Sequence, residues 1–300
     1  GNTEVHWYNY PLGGGLCISN ANPTLEDLYI SGNTAYMGGG LYFSNSESRI
    51  DGLIVADNTR GYDWYGGGAG LYARNSSISL LNSKIVNNIG TTEGVGAGVV
   101  LQSCNGIYFN NVLISGNQSD REVGGIYITG GGNVNFTDVE ISYNIEDTQQ
   151  QGYLEGGMKI SHWSDTFTFN NVSIHHNGVL GLNIEYVTAP IENVVVYSQS
   201  TNLKIGSFNF PDDNPGVINH LTSSNGRIYI SNVSSPDSCI IKNSIIDFNS
   251  DSEQELFVNS GAAVLNYSHM TTGWDGNGNS NTSGNPLFCN PDSGDYTLAE

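Results

Sequence analysis

Apolar and polar residues alternate in a short phrase that recurs along the chain, apolar-x-apolar-x-(Asn/Asp)-x-x-(Ile/Val)-x-x-Asn. It reads Ile78, Leu80, Asn82, Ile85, Asn88; then Ile107, Phe109, Asn111, Ile114, Asn117. Two further copies run Val134, Phe136, Asp138, Ile141, Asn144 and Phe167, Phe169, Asn171, Ile174, Asn177, with looser ones from Leu25, Ile50 and Ile241. Alternation with a period of two predicts half-buried strands. The Asn or Asp predicts a turn, because its side chain bonds its own backbone and tolerates left-handed geometry. The final Asn is expected to turn the chain again.

A loop and a glycine-led strand follow each phrase. These strands begin at Gly15, Gly40, Gly70, Gly98, Gly125, Gly157 and Gly181, at spacings of 25, 30, 28, 27, 32 and 24 residues. Their alternation points Leu16/Ile18, Leu41/Phe43, Leu71/Ala73, Val99/Leu101, Ile126/Ile128, Met158/Ile160 and Leu182/Ile184 inward. Repeats of about 20 to 50 residues indicate a stacked solenoid. Three short strands per coil without helical periodicity predict an all-β, single-stranded parallel β-helix. About ten coils at roughly 4.8 Å each would form a rod of about 50 Å. Asn33, Asn58, Asn88, Asn117, Asn144 and Asn177 fall at one position of successive coils and predict a structural asparagine ladder, without a catalytic role.

The regular part spans residues 13–270. Residues 1–12, with His6-Trp-Tyr-Asn-Tyr10, are expected to be an N-terminal cap or the remnant of a preceding coil, and residues 271–300 a C-terminal capping segment that continues into a longer protein. Gly1 is not an initiator methionine, which suggests a processed segment.

Charge narrows the partners. Nine basic residues stand against 29 acidic ones, a formal charge of -20. Such a field repels nucleic acid and anionic membranes. No stretch approaches the roughly 18 apolar residues of a membrane span. Polyanionic sugars are disfavoured unless calcium mediates, since Asp, Asn and backbone carbonyls supply oxygen ligands for it. No other cofactor is expected. Cys17, Cys104, Cys239 and Cys289 show no zinc spacing; at least two are expected to be free, with Cys239 and Cys289 the candidate disulfide pair. The low Lys, high Asn, Ser and Gly composition points to an extracellular or cell-surface protein, and the pattern sets no oligomeric state.

The repeat resembles the right-handed parallel β-helix proteins of the pectate-lyase-like superfamily over about residues 13–270. The tail, from Cys239-Ile-Ile-Lys-Asn-Ser-Ile-Ile-Asp-Phe-Asn249 through Asn285-Pro-Leu-Phe288 to Gly294-Asp-Tyr-Thr-Leu298, is similar to the closing segment of large secreted bacterial surface proteins. In those a β-helix precedes a C-terminal sorting or anchor domain. The resemblance implies a right-handed coil and a secreted context. It carries over no catalytic set. The one Asp-Asp pair is Asp212-Asp213, His162, His175 and His176 lack glycines on both sides, and no Arg-x-Lys occurs.

Candidate ligand-binding residues come from columns. The outward position of the glycine-led strand reads Cys17, Tyr42, Tyr72, Val100, Tyr127, Lys159 and Asn183, extended through Lys204, Tyr229 and Phe257. An exposed line of Tyr42, Tyr72 and Tyr127, with Trp64 on a loop and Arg74 and Lys159 beside it, would let a polysaccharide or cell-surface glycan stack on the rings. The alternative is that the tyrosines stabilise the sheet against same-face neighbours. Loop carboxylates Asp63, Glu93, Asp120, Glu122 and Glu155 are the candidates for an acid/base pair or for calcium. His162, His175 and His176 fall on different sheets of one coil, so no metal site is assigned. The expectation is a surface module for adhesion or polysaccharide binding without an evident catalytic set. The alternatives are a carbohydrate-active hydrolase or lyase beside the loop-bearing face, and a structural stalk or self-assembling module.

Overall fold

The computed structural model describes residues 11–61, 67–91, 95–120, 123–146, 156–163, 167–187, 191–197, 201–206, 216–231, 238–247, 256–258, 262–293 and 295–298. Alternating apolar residues become strands, and the strands stack coil on coil into an all-β parallel solenoid. Among the described residues the one helical turn is a 3-10 segment, Pro291–Ser293.

Sheet I holds ten strands in chain order, from Leu16–Ser19, Leu41–Ser44, Leu71–Arg74, Val99–Cys104 and Ile126–Gly131 to Leu256–Val258. Sheet II carries the recurring phrase, with Glu47–Asp51, Ser77–Val86, Ile107–Ser115, Val134–Ser142 and Phe167–His175 at its centre. Sheet III is short, built from Thr34–Ala35, Thr59–Arg60, Ile89–Gly90, Gln118–Ser119 and Ile145–Glu146. Every pairing in the three sheets is parallel, as Leu80↔Phe109↔Phe136↔Phe169 shows in sheet II.

The phrase differs from its sequence reading in two respects. Its two halves do not part into separate strands in the most regular coils. Asn82, Asn111, Asp138 and Asn171 take left-handed φ values of 46°, 54°, 52° and 55°, which bend one long strand without ending it. The second turn is made by the residue before the final Asn. Asp57, Asn87, Tyr143 and His176 hold φ of 55°, 55°, 55° and 49°, and Gly32 and Gly116 fill the same position. The final Asn therefore turns inward and is free to build the ladder.

The ladder is continuous. Each Nδ2 donates to the next coil's Oδ1: Asn33 to Asn58 at 3.0 Å, Asn58 to Asn88 at 3.0 Å, Asn88 to Asn117 at 2.9 Å, Asn117 to Asn144 at 2.8 Å and Asn144 to Asn177 at 3.0 Å. The second Nδ2 proton goes to a strand carbonyl, as from Asn117 to Ile85 and from Asn144 to Ile114. In the ladder coils glycine leads the sheet I strand, at Gly15, Gly40, Gly70, Gly98, Gly125 and Gly157, because the ladder occupies the space a side chain would need. A Cβ on Gly70 would stand 2.7 Å from Ile85 Cγ2 and 3.0 Å from Asn88 Nδ2.

Inside the coil, Leu41, Phe43, Leu71, Val99, Leu101, Ile126 and Ile128 of sheet I face Ile78, Ile85, Phe109, Phe136 and Phe169 of sheet II in one core. The three phenylalanine rings follow one another along the core, Phe109 tilted on Phe136 at 5.1 Å and Phe136 stacked on Phe169 at 5.7 Å. Burying each such side chain contributes about 1.5–3 kcal/mol before entropy is set against it.

At the C-terminal end the stacking continues past the last full strands. Asn277 and Thr282 bridge in parallel to Val264 and His269, and Asn281 Oδ1 accepts the Ser268 backbone N–H at 3.1 Å. An antiparallel hairpin of Phe288–Asn290 and Asp295–Leu298 then packs Tyr296 on Tyr197, with centroids 4.6 Å apart. The candidate Cys239–Cys289 disulfide is absent: all four cysteines are free thiols. Cys239 is sealed in the core, whereas Cys289 is exposed on the hairpin.

Candidate functional site

The outward column of sheet I exists in the expected register, Cys17↔Tyr42↔Tyr72↔Val100↔Tyr127↔Lys159↔Asn183 and on to Lys204↔Tyr229↔Phe257. Its exposure is not as expected. Tyr42 is 1% exposed, Tyr72 4% and Val100 2%. With Leu12 they form a second apolar core, flanked by Cys17, Met37 and Tyr127. The reading of Tyr42 and Tyr72 as an open stacking platform is therefore corrected. Segments read as simple connections cover the column, joined coil to coil by the parallel bridges Leu12↔Met37 and Gly67↔Val95. Glycine lets them lie this close. A Cβ on Gly39 would meet the Ala69 carbonyl oxygen at 2.5 Å, and one on Gly96 would meet Val100 at 2.4 Å.

Within this cover the rings of Tyr42 and Tyr72 stack within 2° of parallel at 5.7 Å. The Tyr72 hydroxyl donates to the Gln102 side chain, and burial pushes its pKa upward. Arg74 sits half-buried, its guanidinium 5.8 Å from the Tyr42 ring and its Nε donating to Ser44 Oγ at 3.1 Å. Lys159, also half-buried, lies 5.9 Å from the Tyr127 ring and 3.7 Å from Glu185 Oε2. Arg74, Tyr127 and Lys159 are thus held by neighbours at the margin of the covered column.

Of the five loop carboxylates, Asp63, Glu93, Glu122 and Glu155 lie outside the described residues, as does Trp64. Asp120 is half-buried beside sheet III and faces Arg60 electrostatically. Arg60 itself is 1% exposed and donates to the Thr91 carbonyl; burial lowers its pKa. Sequence reasoning passed over Arg60 and the equally buried Glu146. The signal was available, since both stand two residues after a ladder asparagine, at the inward position of sheet III.

The histidine pair lies at one end of sheet II. His175 Nδ1 and His176 Nδ1 are 2.9 Å apart, and His175 Nε2 is 3.3 Å from Glu140 Oε1. The His175 contact holds the Glu140 carboxyl below its ordinary pKa, and burial lowers that of His176. Tyr143 stacks on His176 at 5.1 Å and Tyr197 on His175 at 4.7 Å. Among the described residues no group of three or more His, Cys, Asp or Glu converges as metal ligands would.

The surface left open is the outer face of sheet II. In register across five coils it presents Arg49, Ser79, Tyr108, Asn135 and Thr168, and beside them Asp51, Leu81, Asn110, Thr137 and Asn170. All ten are partly or fully exposed. Tyr108, 38% exposed, accepts a hydrogen bond from Asn110 Nδ2 at 3.2 Å. Hydroxyls and amides thus stand in register from coil to coil, with the Tyr108 ring among them.

Residues 1–138 match the family model of the right-handed β-helix region. No curated protein and no solved structure matches the chain. The matched region and the parallel solenoid that runs through and beyond it together support the right-handed β-helix family.

Proposed function

We propose that this chain is an extracellular or cell-surface β-helix module that binds polysaccharide, or a glycan of another cell, without cleaving it. The observation that carries the reading is the in-register polar face of sheet II, with Ser79, Asn110, Asn135, Thr137, Thr168 and Asn170 grouped around Tyr108. Amides and hydroxyls exchange hydrogen bonds with sugar hydroxyls. A tyrosine ring offers an apolar face to sugar C–H groups and a hydroxyl at its edge. The rows repeat at roughly 4.8 Å, so an extended chain running along the axis meets a similar environment coil after coil. The resemblance of the repeat to pectate-lyase-like proteins and of the tail to bacterial surface proteins supports the extracellular setting.

A hydrolase would need two carboxylates about 5 Å apart for retention or about 6.5–9.5 Å apart for inversion. Only Asp120 among the five candidates falls within the described residues. A glycan array, run with and without calcium, tests the proposal. Retention of one glycan class is expected; calcium dependence would assign the loop carboxylates to ion binding. Absence of retention in both conditions would overturn the reading in favour of a structural stalk.

A further inference from the structure

A groove of about 560 Å³ runs along the corner where sheet I passes into sheet II, spanning four coils. Its lining includes Asn22, Asn45, Glu47, Asn75, Ser77 and Asn105. Asn45 and Asn75 hold φ of 49° and 47°, and this left-handed geometry turns both side chains out of the corner. Their backbone N–H groups are bonded to the next coil, at Arg74 O and Gln102 O. Their side-chain amides make no hydrogen bond among the described residues, and both are exposed.

The other bend of the coil shows what such amides do when they serve the fold. There Asn82 Nδ2 donates to Asp51 Oδ1 at 2.8 Å, and Asn111 Nδ2 to Asn82 Oδ1 at 2.8 Å. Asn22 and Asn105 accept the backbone N–H groups of Glu47 and Asn133 on the next coil, whereas the Asn45 and Asn75 amides form no ladder. Each leaves two donors and one acceptor for solvent or ligand, one coil of roughly 4.8 Å from the next. Ser77 Oγ donates to the Gly106 carbonyl and keeps its lone pairs. Gly106, at φ 74°, has no side chain to close the far end of the groove; a Cβ there would stand 2.9 Å from Ser77 Oγ. Two residues on, along the same outward face, stands the exposed ring of Tyr108. Glu47 is the one charged residue of the lining.

We propose that this corner groove is a subsite for an uncharged, hydroxyl-rich sugar chain lying along the solenoid axis, held by the Asn45 and Asn75 amides and ending against Tyr108. The proposal rests on the polysaccharide-binding reading and adds to it a place and a ligand class. A lining of neutral amides and hydroxyls with a single carboxylate, on a chain of net charge -20, selects against uronates and sulfated sugars.

Isothermal titration with mixed-linkage β-glucan, galactomannan and xyloglucan fragments, and with polygalacturonate, tests it on the full chain. The double variant Asn45→Gly, Asn75→Gly removes both amides, and glycine accepts the left-handed backbone they leave. The expected result is binding of a neutral glycan that weakens at least tenfold in the double variant, with an unchanged melting temperature. Neutral binding that survives the substitution would move the site elsewhere and overturn the groove while leaving the function. Preference for polygalacturonate would overturn the ligand class, and no binding of any of the four would overturn the functional reading itself.

Discussion

Asn117 Oδ1 accepts two hydrogen bonds from the same neighbour, one from the Asn88 side-chain amide at 2.9 Å and one from the Asn88 backbone N–H at 3.0 Å. Every rung from Asn33 to Asn177 repeats this double contact. The side chain thus substitutes for a missing backbone carbonyl at the corner. Asn117→Ala would strand the Asn88 N–H and take one buried hydrogen bond each from Asn88 Nδ2, the Ile85 carbonyl and Asn144 Oδ1, the last of which keeps the Asn117 backbone N–H. Each unsatisfied group costs about 1–3 kcal/mol, so a loss of about 3 kcal/mol or more is expected. Asn33→Ala, at the half-buried end of the ladder, should cost about 1 kcal/mol. Urea unfolding of the two variants measures the difference, and equal midpoints would count against a cooperative ladder.

Tyr72 belongs to a second core, and its removal should be felt as instability. Tyr72→Ala is expected to cost about 3–5 kcal/mol, the range for truncating a buried aromatic. Thermal melts and glycan retention on the same sample separate the two roles. A variant that keeps its stability but loses retention would restore the open-platform reading.

The cysteines should divide sharply in reactivity. Burial pushes the Cys104 thiol up to about 11 and the Cys239 thiol to about 12, so neither supplies thiolate at pH 8. Cys289 is exposed. Iodoacetamide at pH 8 should therefore modify Cys289 in the native protein, and Cys104 and Cys239 only after denaturation, as peptide mapping would show. A Cys239–Cys289 crosslink in material purified without reductant would contradict the fold at its C-terminal end.

Acid should weaken the region around sheet II's histidine pair in two stages. His176 has a folded pKa below its ordinary 6.5, so the unfolded chain takes up the proton more readily and stability falls as pH drops below about 6.5. Glu140 is likewise depressed from 4.5, chiefly by its hydrogen bond with His175; its contribution is present above 4.5 and is lost as pH falls through the folded value. His176→Asn, which tolerates the left-handed φ of 49°, should flatten the pH 7 to 5 part of the profile and leave the lower part in place. Melting temperatures from pH 7.5 to 4 provide the test, and an unchanged slope in the variant would remove His176 as its source.

The periodic part of this molecule was legible because the solenoid repeats one physical problem per coil. Alternation fixed which residues of Leu71–Arg74 and Ser77–Val86 face inward, and Asn88 and Asn117 fell at the ladder position. The turn residue was misplaced by one, because Asn87 and Asn88 are both plausible turn formers and only the inward pull of the ladder distinguishes them. The cover over Tyr42 and Tyr72 was invisible for a different reason. It is made by short, glycine-rich segments such as Met37-Gly38-Gly39 and Val95-Gly96-Ala97, whose sequence carries no alternation. Those glycines fell in stretches read as loops ahead of the leading Gly40 and Gly98, although their lack of a side chain is what allows the close approach. The corner groove escaped notice because Asn45 and Asn75 look in sequence like ordinary turn residues, and only the contrast with the bonded Asn82 and Asn111 shows that their amides are unused.

The most direct test of recognition without cleavage is a reducing-end assay on the polysaccharide the full chain retains, run over many hours with and without calcium. The account predicts retention with no new reducing ends in either condition. New reducing ends above a heat-denatured control would contradict it and turn attention to the loop carboxylates around Asp120.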